Sequence, residues 1–227
     1  MQAVNSHEVT VAICVRNGEK YIEDAILSAE KQSAAAVQIL VIDDGSEDDS
    51  ASIAEDRGCT VIRQEPIGVG GARNTAFRVA VAPWIFFLDA DDLMSENALE
   101  DLLAAVKSDA SAVGASGFRR NFISPELVET MSLVDAKFLE AEKAALPSGS
   151  LWRTDLGIRH KFNEEAILSD LDWITRLREE HYLVAEAQEI VLFRRIHLNN
   201  MTSTRAAKRA YLDLAIRNMR KEVQTGE

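Results

Sequence analysis

One stretch, residues 84–92, constrains the fold of this chain more than any other part of the sequence. It reads WIFFLDADD, so an apolar run leads directly into three carboxylates. A short apolar run rich in β-forming residues predicts a buried strand that delivers acidic side chains at its carboxyl end. Crowded carboxylates repel one another, and a divalent cation bound through hard oxygen ligands relieves that repulsion. An acidic turn that caps the helix predicted from Ser95 explains the same residues without a metal.

Predicted strands and helices alternate along the chain as far as residue 118. Short apolar segments predict the strands, and apolar residues at helical spacing predict amphipathic helices between them. This alternation is typical of a parallel sheet covered by helices on both faces. The strands are predicted over residues 9–15, 37–42, 60–63, 84–88 and 111–118, and the helices over 19–31, 50–57, 72–81 and 95–107.

The second half of the chain is less regular. We find no repeat or low-complexity segment in it, so we expect it to elaborate the first half rather than form an independent domain. The sequence predicts a loop over residues 121–131, a helix over 133–146, a turn at 147–150 leading into a strand, a helix over 169–180, a strand over 190–196 and a last helix over 205–223.

The charge and the cysteine content restrict the classes of function. A net charge of −12 argues against a nucleic-acid partner, although a bound cation would still allow a phosphate ligand. The two cysteines form no CxxC pair, and the N-terminus lacks a basic and then apolar signal pattern. The longest apolar run, residues 79–88, is interrupted by Pro83 and is too short to cross a bilayer. We therefore expect a soluble cytoplasmic protein.

Polar residues follow three of the predicted strands. In an open parallel sheet, ligands bind beyond the carboxyl ends of the strands, so these residues are candidates for one shared site. A turn with helix capping is the simpler explanation for any one of them, since Asp, Gly and Ser are favoured turn residues. The three clusters are Arg16 with Asn17, Asp43 with Asp44, and Asp89 with Asp91 and Asp92.

A glycine-rich segment, residues 68–73, precedes the third predicted helix. It reads GVGGAR, with arginine where a dinucleotide fingerprint has its third glycine, and it lacks the Gly-Lys-Ser/Thr of a P-loop. The segment offers a helix N-terminus and Arg73 to an anionic ligand. A flexible connector with a solvated arginine is the alternative.

These segments together resemble the successive signatures of the family 2 inverting glycosyltransferases, which have the GT-A fold. The resemblance covers about residues 9–204, and its strength lies in the number and order of the motifs, since a single DxD motif is weak evidence. The matching segments are ICVRNG at 13–18, ILVIDDGS at 39–46, GVGGARNT at 68–75, FFLDADD at 86–92, FNE at 162–164, SDLDW at 169–173 and RRIHLNNMT at 194–202.

The resemblance implies one GT-A domain, a nucleotide-binding Rossmann-like unit with a mostly parallel central sheet flanked by helices. Residues 1–118 would form the half that binds the nucleotide-sugar donor. Residues 119–204 would form the acceptor-binding and catalytic half of the same domain, followed by a C-terminal helix at 205–227. The implied reaction is a metal-dependent, inverting transfer of a sugar, with a UDP-sugar as the expected donor, to an acceptor hydroxyl in glycan or polysaccharide biosynthesis.

The resemblance also implies roles for individual residues. Asn17 would lie near the nucleotide base, Asp43 would accept a hydrogen bond from the base, and Asp44 would support that loop. Asp89 would contact the ribose or the metal, Asp91 would hold a Mg²⁺ or Mn²⁺ that bridges the diphosphate, and His197 would contact the metal or the diphosphate. Asp170 would be the general base. Asp92 would support the metal site. Apart from the resemblance, a leaving diphosphate develops negative charge, which a metal together with Arg73 or a helix N-terminus would stabilise.

The sequence departs from the family pattern at three points. Cys14-Val15-Arg16 replaces the usual proline and tyrosine before Asn17, the spacing in the acceptor half is compact, and Ser169 replaces the glutamate that usually precedes the base. The serine supports an alternative function, a catalytically silent nucleotide-sugar-binding or scaffolding protein. A phosphatase of the haloacid-dehalogenase type is less suitable, because its acidic motif belongs on the first strand.

The basic residues near the C-terminus suggest two further contacts. They give the predicted last helix a basic surface on an otherwise acidic protein, while its apolar seam from Leu212 to Val223 favours packing against the domain or a partner subunit, and so allows a homodimer. A peripheral contact with an anionic membrane surface or acceptor is the other expectation. The acceptor itself would be a glycan, a lipid-linked compound or another hydroxyl compound. The basic residues are Arg205, Lys208, Arg209, Arg217, Arg220 and Lys221.

Overall fold

The computed structural model describes residues 8–34, 36–128, 139–144 and 146–197. Its first part alternates strands and helices as the apolar periodicity predicts. The elements are β1 (Val9–Val15), α1 (Ile22–Glu30), β2 (Gln38–Asp43), α2 (Ser50–Asp56), β3 (Thr60–Arg63), α3 (Val69–Val79), β4 (Trp84–Asp89), β5 (Leu93–Met94), α4 (Ala98–Ser108) and β6 (Gly114–Ile123).

The second part contributes shorter elements and one long strand. They are α5 (Pro125–Val128), β7 (Ala141–Lys143), β8 (Ser150–Arg153), α6 (Thr154–Arg159), α7 (Ser169–Glu179) and β9 (Val184–Ile196). All the described strands join one sheet in the order β3-β2-β1-β4-β8-β6-β9-β5, with β7 beside β6. The strands β3, β2, β1 and β4 are parallel neighbours, and β8 lies antiparallel between β4 and β6. The predicted mostly parallel α/β sheet is confirmed.

Alternating side chains of β1 serve two separate cores, because successive residues of a strand point to opposite faces. Val11 and Ile13 pack with Ile26 of α1 on one face. Ala12 packs with Ala76 of α3 on the other face. Both faces of the strand are therefore covered by helices, as its uninterrupted apolar sequence predicts.

A cluster of aromatic rings attaches the second part of the chain to the first. Trp173 of α7 stacks on Phe162 at 4.7 Å between ring centroids and meets Trp152 of β8 edge-on at 4.8 Å. Phe77 of α3 lies 6.1 Å from Trp173 and meets Phe87 of β4 edge-on at 5.1 Å. Buried aromatic side chains contribute large apolar areas with defined packing directions. This cluster therefore fixes where α7 begins relative to the end of β4.

Several predicted boundaries in the first half need correction. The helix predicted from residue 72 begins at Val69, so five of the six residues of the glycine-rich segment lie inside α3. The strand predicted over residues 111–118 runs instead from Gly114 to Ile123, so its first three residues lie outside β6 and it continues into the region predicted as a loop. The short elements β5 and α6 were not predicted, because two to six residues show little periodicity.

The second half carries further corrections. The predicted loop over residues 121–131 is wrong where α5 forms at Pro125–Val128. The helix predicted over 133–146 is wrong at Ala141–Lys143, which forms β7, and most of its remainder lies outside the described residues. The helix predicted over 205–223 lies outside them entirely. No helix in the described ranges combines the length and apolar character needed to cross a membrane.

Candidate active site

The carboxyl ends of β2 and β4 bring two predicted acidic clusters to either side of β1. Asp43 ends β2 and pairs with Val15 in the sheet register, and Asp89 ends β4 and pairs with Cys14. Because neighbouring strands lie about 4.8 Å apart, Asp43 and Asp89 stand about 10 Å apart across this edge. The sheet therefore gathers the predicted clusters along one rim.

The loops after β1 and β2 are joined by hydrogen bonds through Asn17. Its backbone N–H donates to Ser46 Oγ at 2.9 Å, and its side-chain Oδ1 accepts from the backbone N–H of Glu47 at 2.8 Å. Asn17 adopts a φ of 55°, a left-handed conformation that asparagine tolerates better than most residues. Asp43 in turn accepts from the Ser46 N–H at 3.0 Å. The two loops thus form one connected surface at the rim.

Asp44 supports the segment that leads into α3. Its Oδ1 accepts from Gln64 Nε2 at 2.7 Å and from the backbone N–H of Ile67 at 2.9 Å. Its Oδ2 accepts from the N–H of Gly68 at 2.8 Å. The carboxylate is buried, and hydrogen bonds of this kind to a charged acceptor are stronger than neutral ones. These hydrogen bonds connect the end of β2 to the start of α3.

The three carboxylates after β4 have different environments. Asp89 is 45% exposed at its side chain, and its backbone N–H donates to Ser148 Oγ at 3.3 Å. Asp92 is buried and accepts the backbone N–H of Arg195 at 2.9 Å. Burial, together with the charges of Asp89 and Asp91, raises the pKa of Asp92 well above its usual range. Asp92 therefore serves the interior of the turn, while Asp89 and Asp91 remain at the rim.

Asp91 and His197 form the pair best suited to a divalent metal ion. His197 Nε2 lies 2.9 Å from Asp91 Oδ2, and the two side chains are 9% and 31% exposed. Two ligands in adjacent octahedral positions at about 2.1 Å from an ion lie about 3 Å apart, so the pair has a suitable spacing. Within the described residues, no three His, Cys, Asp or Glu side chains converge on one point. Among the described residues, the pair would therefore leave most positions of a bound ion to other ligands.

Arg195 fixes the turn that carries Asp91. Its Nε donates to the carbonyl of Asp91 at 3.0 Å, and its Nη2 pairs with Asp24 of α1 at 2.9 Å. The guanidinium carbon lies 4.7 Å from the Tyr21 ring centroid and 4.9 Å from that of Phe122. Arginine favours such stacked, multiply bonded positions. The end of β9 is thus attached to the turn after β4.

Arg73 contacts carboxylates rather than solvent. The residue is 2% exposed, and its Nη2 donates to Asp89 Oδ1 at 3.1 Å. Its Nη1 forms an ion pair with Asp170 Oδ1. The solvated connector considered above is therefore excluded for this arginine. Asp170 lies in the first turn of α7, and 23% of its side chain is exposed. Arg73 therefore links α7 to the rim at the carboxyl ends of β1, β2 and β4.

Small side chains allow α7 to approach α3 closely. A Cβ atom added to Gly70 would lie 3.0 Å from both Ser169 Cβ and the carbonyl oxygen of Asn163. Ser169 is buried, so a glutamate at this position would have to displace the first turn of α3 or of α7. The serine that departs from the family pattern thus has a packing reason.

Neither cysteine is placed to act as a nucleophile. Burial raises the pKa of Cys14 to about 12, and the nearby Arg73 only partly opposes that effect. Burial also raises the pKa of Cys59, to about 11. Since the thiolate is the reactive form, both side chains act as small packing groups at neutral pH.

Three residues with contacts in the site have no role in the sequence analysis: Tyr21, Asn74 and Arg195. Asn74 and Arg195 fall within the segments that resemble the family, but nothing in the pattern identifies their partners. The rings of Tyr21 and His197 are tilted against each other, with 4.7 Å between their centroids. Tyr21 immediately precedes α1, and no motif surrounds it in the sequence. The adjacency of Asn74 to Arg73 is the one signal that could have drawn attention to it.

The sequence comparison identifies the family. A family model for glycosyl transferase family 2 matches residues 10–165, more than half of the chain. The chain belongs to glycosyl transferase family 2. This chain is 28% identical over 155 residues to the uncharacterized glycosyltransferase EpsJ of Bacillus subtilis (strain 168), covering 63% of this chain and 45% of EpsJ. It is 39% identical over 110 residues to the succinoglycan biosynthesis protein ExoU of Rhizobium meliloti (strain 1021), covering 46% and 32%.

Solved structures share the fold of the chain. TarS from S. aureus in complex with UDP-GlcNAc aligns with a TM-score of 0.65 at 19% identity, covering 87% of this chain and 61% of TarS. The mannosyltransferase PcManGT from Pyrobaculum calidifontis, in complex with GDP-Man and Mn²⁺, aligns with a TM-score of 0.65 at 17% identity, covering 88% and 60%. The predicted GT-A fold is confirmed. The chain spans less than half the length of the curated relatives EpsJ and ExoU.

Proposed function

We propose that this family 2 transferase moves a sugar from a nucleoside-diphosphate sugar to an acceptor hydroxyl, with inversion at the anomeric carbon and with a divalent metal ion. One observation carries the proposal: Asp89 of the donor rim and Asp170 of α7 meet at the guanidinium of Arg73. The carboxylate proposed to face the donor and the carboxylate proposed as the base therefore contact the same side chain. We propose a UDP-sugar as the donor and glycan or polysaccharide synthesis as the process.

The donor would lie along the rim that β1, β2 and β4 form. Asn17 and Asp43 would contact the nucleotide base, and Asp44 would hold the loop between them and α3. Solved relatives of the same fold bind UDP-GlcNAc in TarS and GDP-Man with Mn²⁺ in PcManGT, which supports a donor of this chemical class. From the sequence, Arg73 was expected to stabilise the leaving diphosphate. Because its guanidinium is paired with two carboxylates, we propose no direct contact between Arg73 and the diphosphate.

Asp91 and His197 would hold the Mn²⁺ or Mg²⁺, with Asp89 beside them at the rim. Such an ion, when bound, neutralises the charge that develops on the leaving diphosphate. Asp92 would keep the turn in place through its bond to Arg195. Tyr21 would restrict the orientation of the His197 ring, which it contacts.

Asp170 would act as the general base for the acceptor. The acceptor oxygen forms a bond to the anomeric carbon as the bond from that carbon to the phosphate oxygen breaks. The hydroxyl proton passes to the Asp170 carboxylate, and the nucleoside diphosphate leaves with the bonding electron pair. Attack from the face opposite the leaving group inverts the configuration. General-base assistance contributes about 10²–10⁴ to such a rate.

A catalytically silent nucleotide-sugar-binding protein is the alternative, and the replacement of the usual glutamate by Ser169 is the observation that favours it. The packing of Ser169 against Gly70 weakens that argument, because the serine fits the close approach of α3 and α7. The acceptor, a homodimer, a cytoplasmic location and a peripheral membrane contact through residues 205–227 remain predictions. That basic segment lies outside the described residues.

Donor binding and donor hydrolysis test the function together. We would measure the thermal shift of the chain with UDP-, GDP- and dTDP-sugars, with and without Mn²⁺, and then the release of nucleoside diphosphate from each sugar that binds. A Mn²⁺-dependent shift with slow release is the expected result. Binding without release, even with added hydroxyl acceptors, would support the silent protein. No shift with any nucleotide sugar would contradict both functions.

A further inference from the structure

The guanidinium of Arg73 lies over two aromatic rings. Its guanidinium carbon lies 5.5 Å from the ring centroid of Phe87 in β4 and 5.7 Å from that of Phe162, which precedes α7. The side chain is 2% exposed, so few alternative rotamers are open to it. A cation held over aromatic faces in a desolvated site gains additional attraction. The guanidinium is therefore a rigid part of the site rather than a mobile surface group.

The two amino groups of this guanidinium bind carboxylates from different halves of the domain. Nη2 donates to Asp89 at the end of β4, and Nη1 pairs with Asp170 at the start of α7. A guanidinium is planar, and its fork holds two partners in a fixed relation. Because 45% of the Asp89 side chain and 23% of the Asp170 side chain are exposed, both carboxylates still face a ligand. One buried cation thus sets the distance between two accessible acids.

The neighbours of Arg73 in α3 support the same arrangement. Asn74 Nδ2 donates to the carbonyl of Phe162 at 3.0 Å, and Asn74 Oδ1 accepts from the Phe162 N–H at 2.8 Å. Asn74 Nδ2 also donates to Glu164 Oε1 at 2.9 Å. Gly70 gives Ser169 room to approach. The first turns of α3 therefore define where the acceptor half meets the donor rim.

We propose that Arg73 is a positioning residue for the transfer reaction, which holds the Asp170 carboxylate at a set distance from Asp89 and hence from the anomeric carbon of the donor. The proposal rests on the proposed function, in which Asp170 takes the acceptor proton. Arg73 itself neither gains nor loses a proton in the reaction. Small displacements of a reacting group are costly, since a shift of about 1 Å lowers a rate about 100-fold.

The kinetic test compares Arg73→Met and Arg73→Lys with the wild type. The probe is whichever of UDP-GlcNAc, UDP-glucose and GDP-mannose the wild type hydrolyses fastest in MnCl₂. We expect Arg73→Met to lower kcat about 100-fold with little change in the donor KM, because binding is kept and orientation is lost. Arg73→Lys, or added guanidinium with the Met variant, should restore part of kcat. A raised KM with unchanged kcat would overturn the proposal in favour of a donor contact.

Arg57→Met is the matched control for the loss of an arginine ion pair. Arg57 pairs with Glu30 between α2 and α1, at the opposite end of the sheet from the rim. We expect this variant to keep the wild-type kcat. Thermal unfolding of all three variants shows how much of any effect is loss of fold. If kcat falls only in proportion to the folded fraction, Arg73 is merely structural and the proposal fails.

Crystal structures provide a readout that does not depend on activity. In Arg73→Met, or in Arg73→Gln if the Met variant does not fold, the Asp170 carboxylate should move away from Asp89 while the α7 backbone stays in place. An unmoved carboxylate would contradict the positioning role even if kcat falls. Should the wild type hydrolyse none of the three sugars, the proposed function fails for them, and the crystal comparison still decides what Arg73 holds.

Discussion

We call residues 1–118 the donor half and residues 119–204 the acceptor half, after the functions proposed for them. The described parts of these two halves are built by different means. In the donor half, parallel strands buried on both faces place Asp43 and Asp89 at one rim through backbone register alone. In the acceptor half, Asp170 reaches that rim because side chains of α3 hold it there. Backbone topology thus gathers the donor residues, whereas individual side-chain contacts position the candidate base. The second arrangement is easier to disturb without unfolding the protein.

The largest effect on donor affinity is expected at Asp91. Asp91→Asn removes a metal-ligating charge but keeps the size of the side chain. We expect the affinity for the nucleotide sugar in Mn²⁺ to fall about 100-fold, since even residues that only support metal ligands cost 10–100-fold. Isothermal titration with and without Mn²⁺ measures this. Asp56→Asn, which removes an exposed carboxylate at the end of α2, is the control and should leave the affinity unchanged. An unchanged metal dependence in Asp91→Asn would remove this residue from the metal site.

The same contrast decides how much the sequence can predict. The strand at residues 9–15 is predicted at its observed bounds, and the strand at 84–88 within one residue, because apolar periodicity reports burial directly. Asp43, Asp89 and Asp91 could be proposed because strand ends converge by topology. The ion pairs of Arg73 could not be predicted, since the sequence pattern does not show which distant side chains a buried guanidinium meets.

A smaller effect should distinguish Asn74 from a residue that makes equivalent bonds elsewhere. Asn74→Ala removes hydrogen bonds to Phe162 and Glu164. Gln32→Ala is the comparison, because the buried Gln32 side chain makes hydrogen bonds with backbone groups of α1, of Ser95 and of α4. Each change should lower the free energy of unfolding by about 2–4 kcal/mol, because buried backbone groups lose their partners. Urea unfolding measures this.

Only Asn74→Ala should also slow donor turnover, by about tenfold, because it alone releases the segment that packs against Arg73. Turnover is compared at a temperature where both variants are fully folded. Equal turnover in the two variants would show that the acceptor half needs no attachment through Asn74.

The smallest effect is expected at Glu126 of α5, an exposed contact between the halves. Hydrogen bonds from Lys20 and Tyr21 lower the pKa of Glu126 to about 2. Its contribution is therefore present above about pH 4.5, the ordinary value for the unfolded chain, and is lost as the pH falls towards 2. Glu126→Gln should lower the unfolding midpoint slightly at pH 7 and not at pH 2, with less effect in high salt.

Glu142→Gln is the comparison for Glu126, because Glu142 pairs with Arg119 at 2.9 Å within the acceptor half. Both variants should be nearly as stable as the wild type at pH 7. A large loss in Glu126→Gln alone would mean that this exposed contact, rather than α3, attaches the two halves.

The most direct test of the division between the halves is Asp170→Asn, measured for donor binding and for transfer in the same preparation. The account predicts nearly normal binding of the nucleotide sugar in Mn²⁺ and transfer lowered by about 10²–10⁴. Asp172→Asn, which changes a carboxylate paired with Arg176 one turn along α7, should lower transfer no more than about threefold. Transfer by Asp170→Asn at more than about a tenth of the wild-type rate, with donor binding intact, would contradict the assignment of Asp170 as the base.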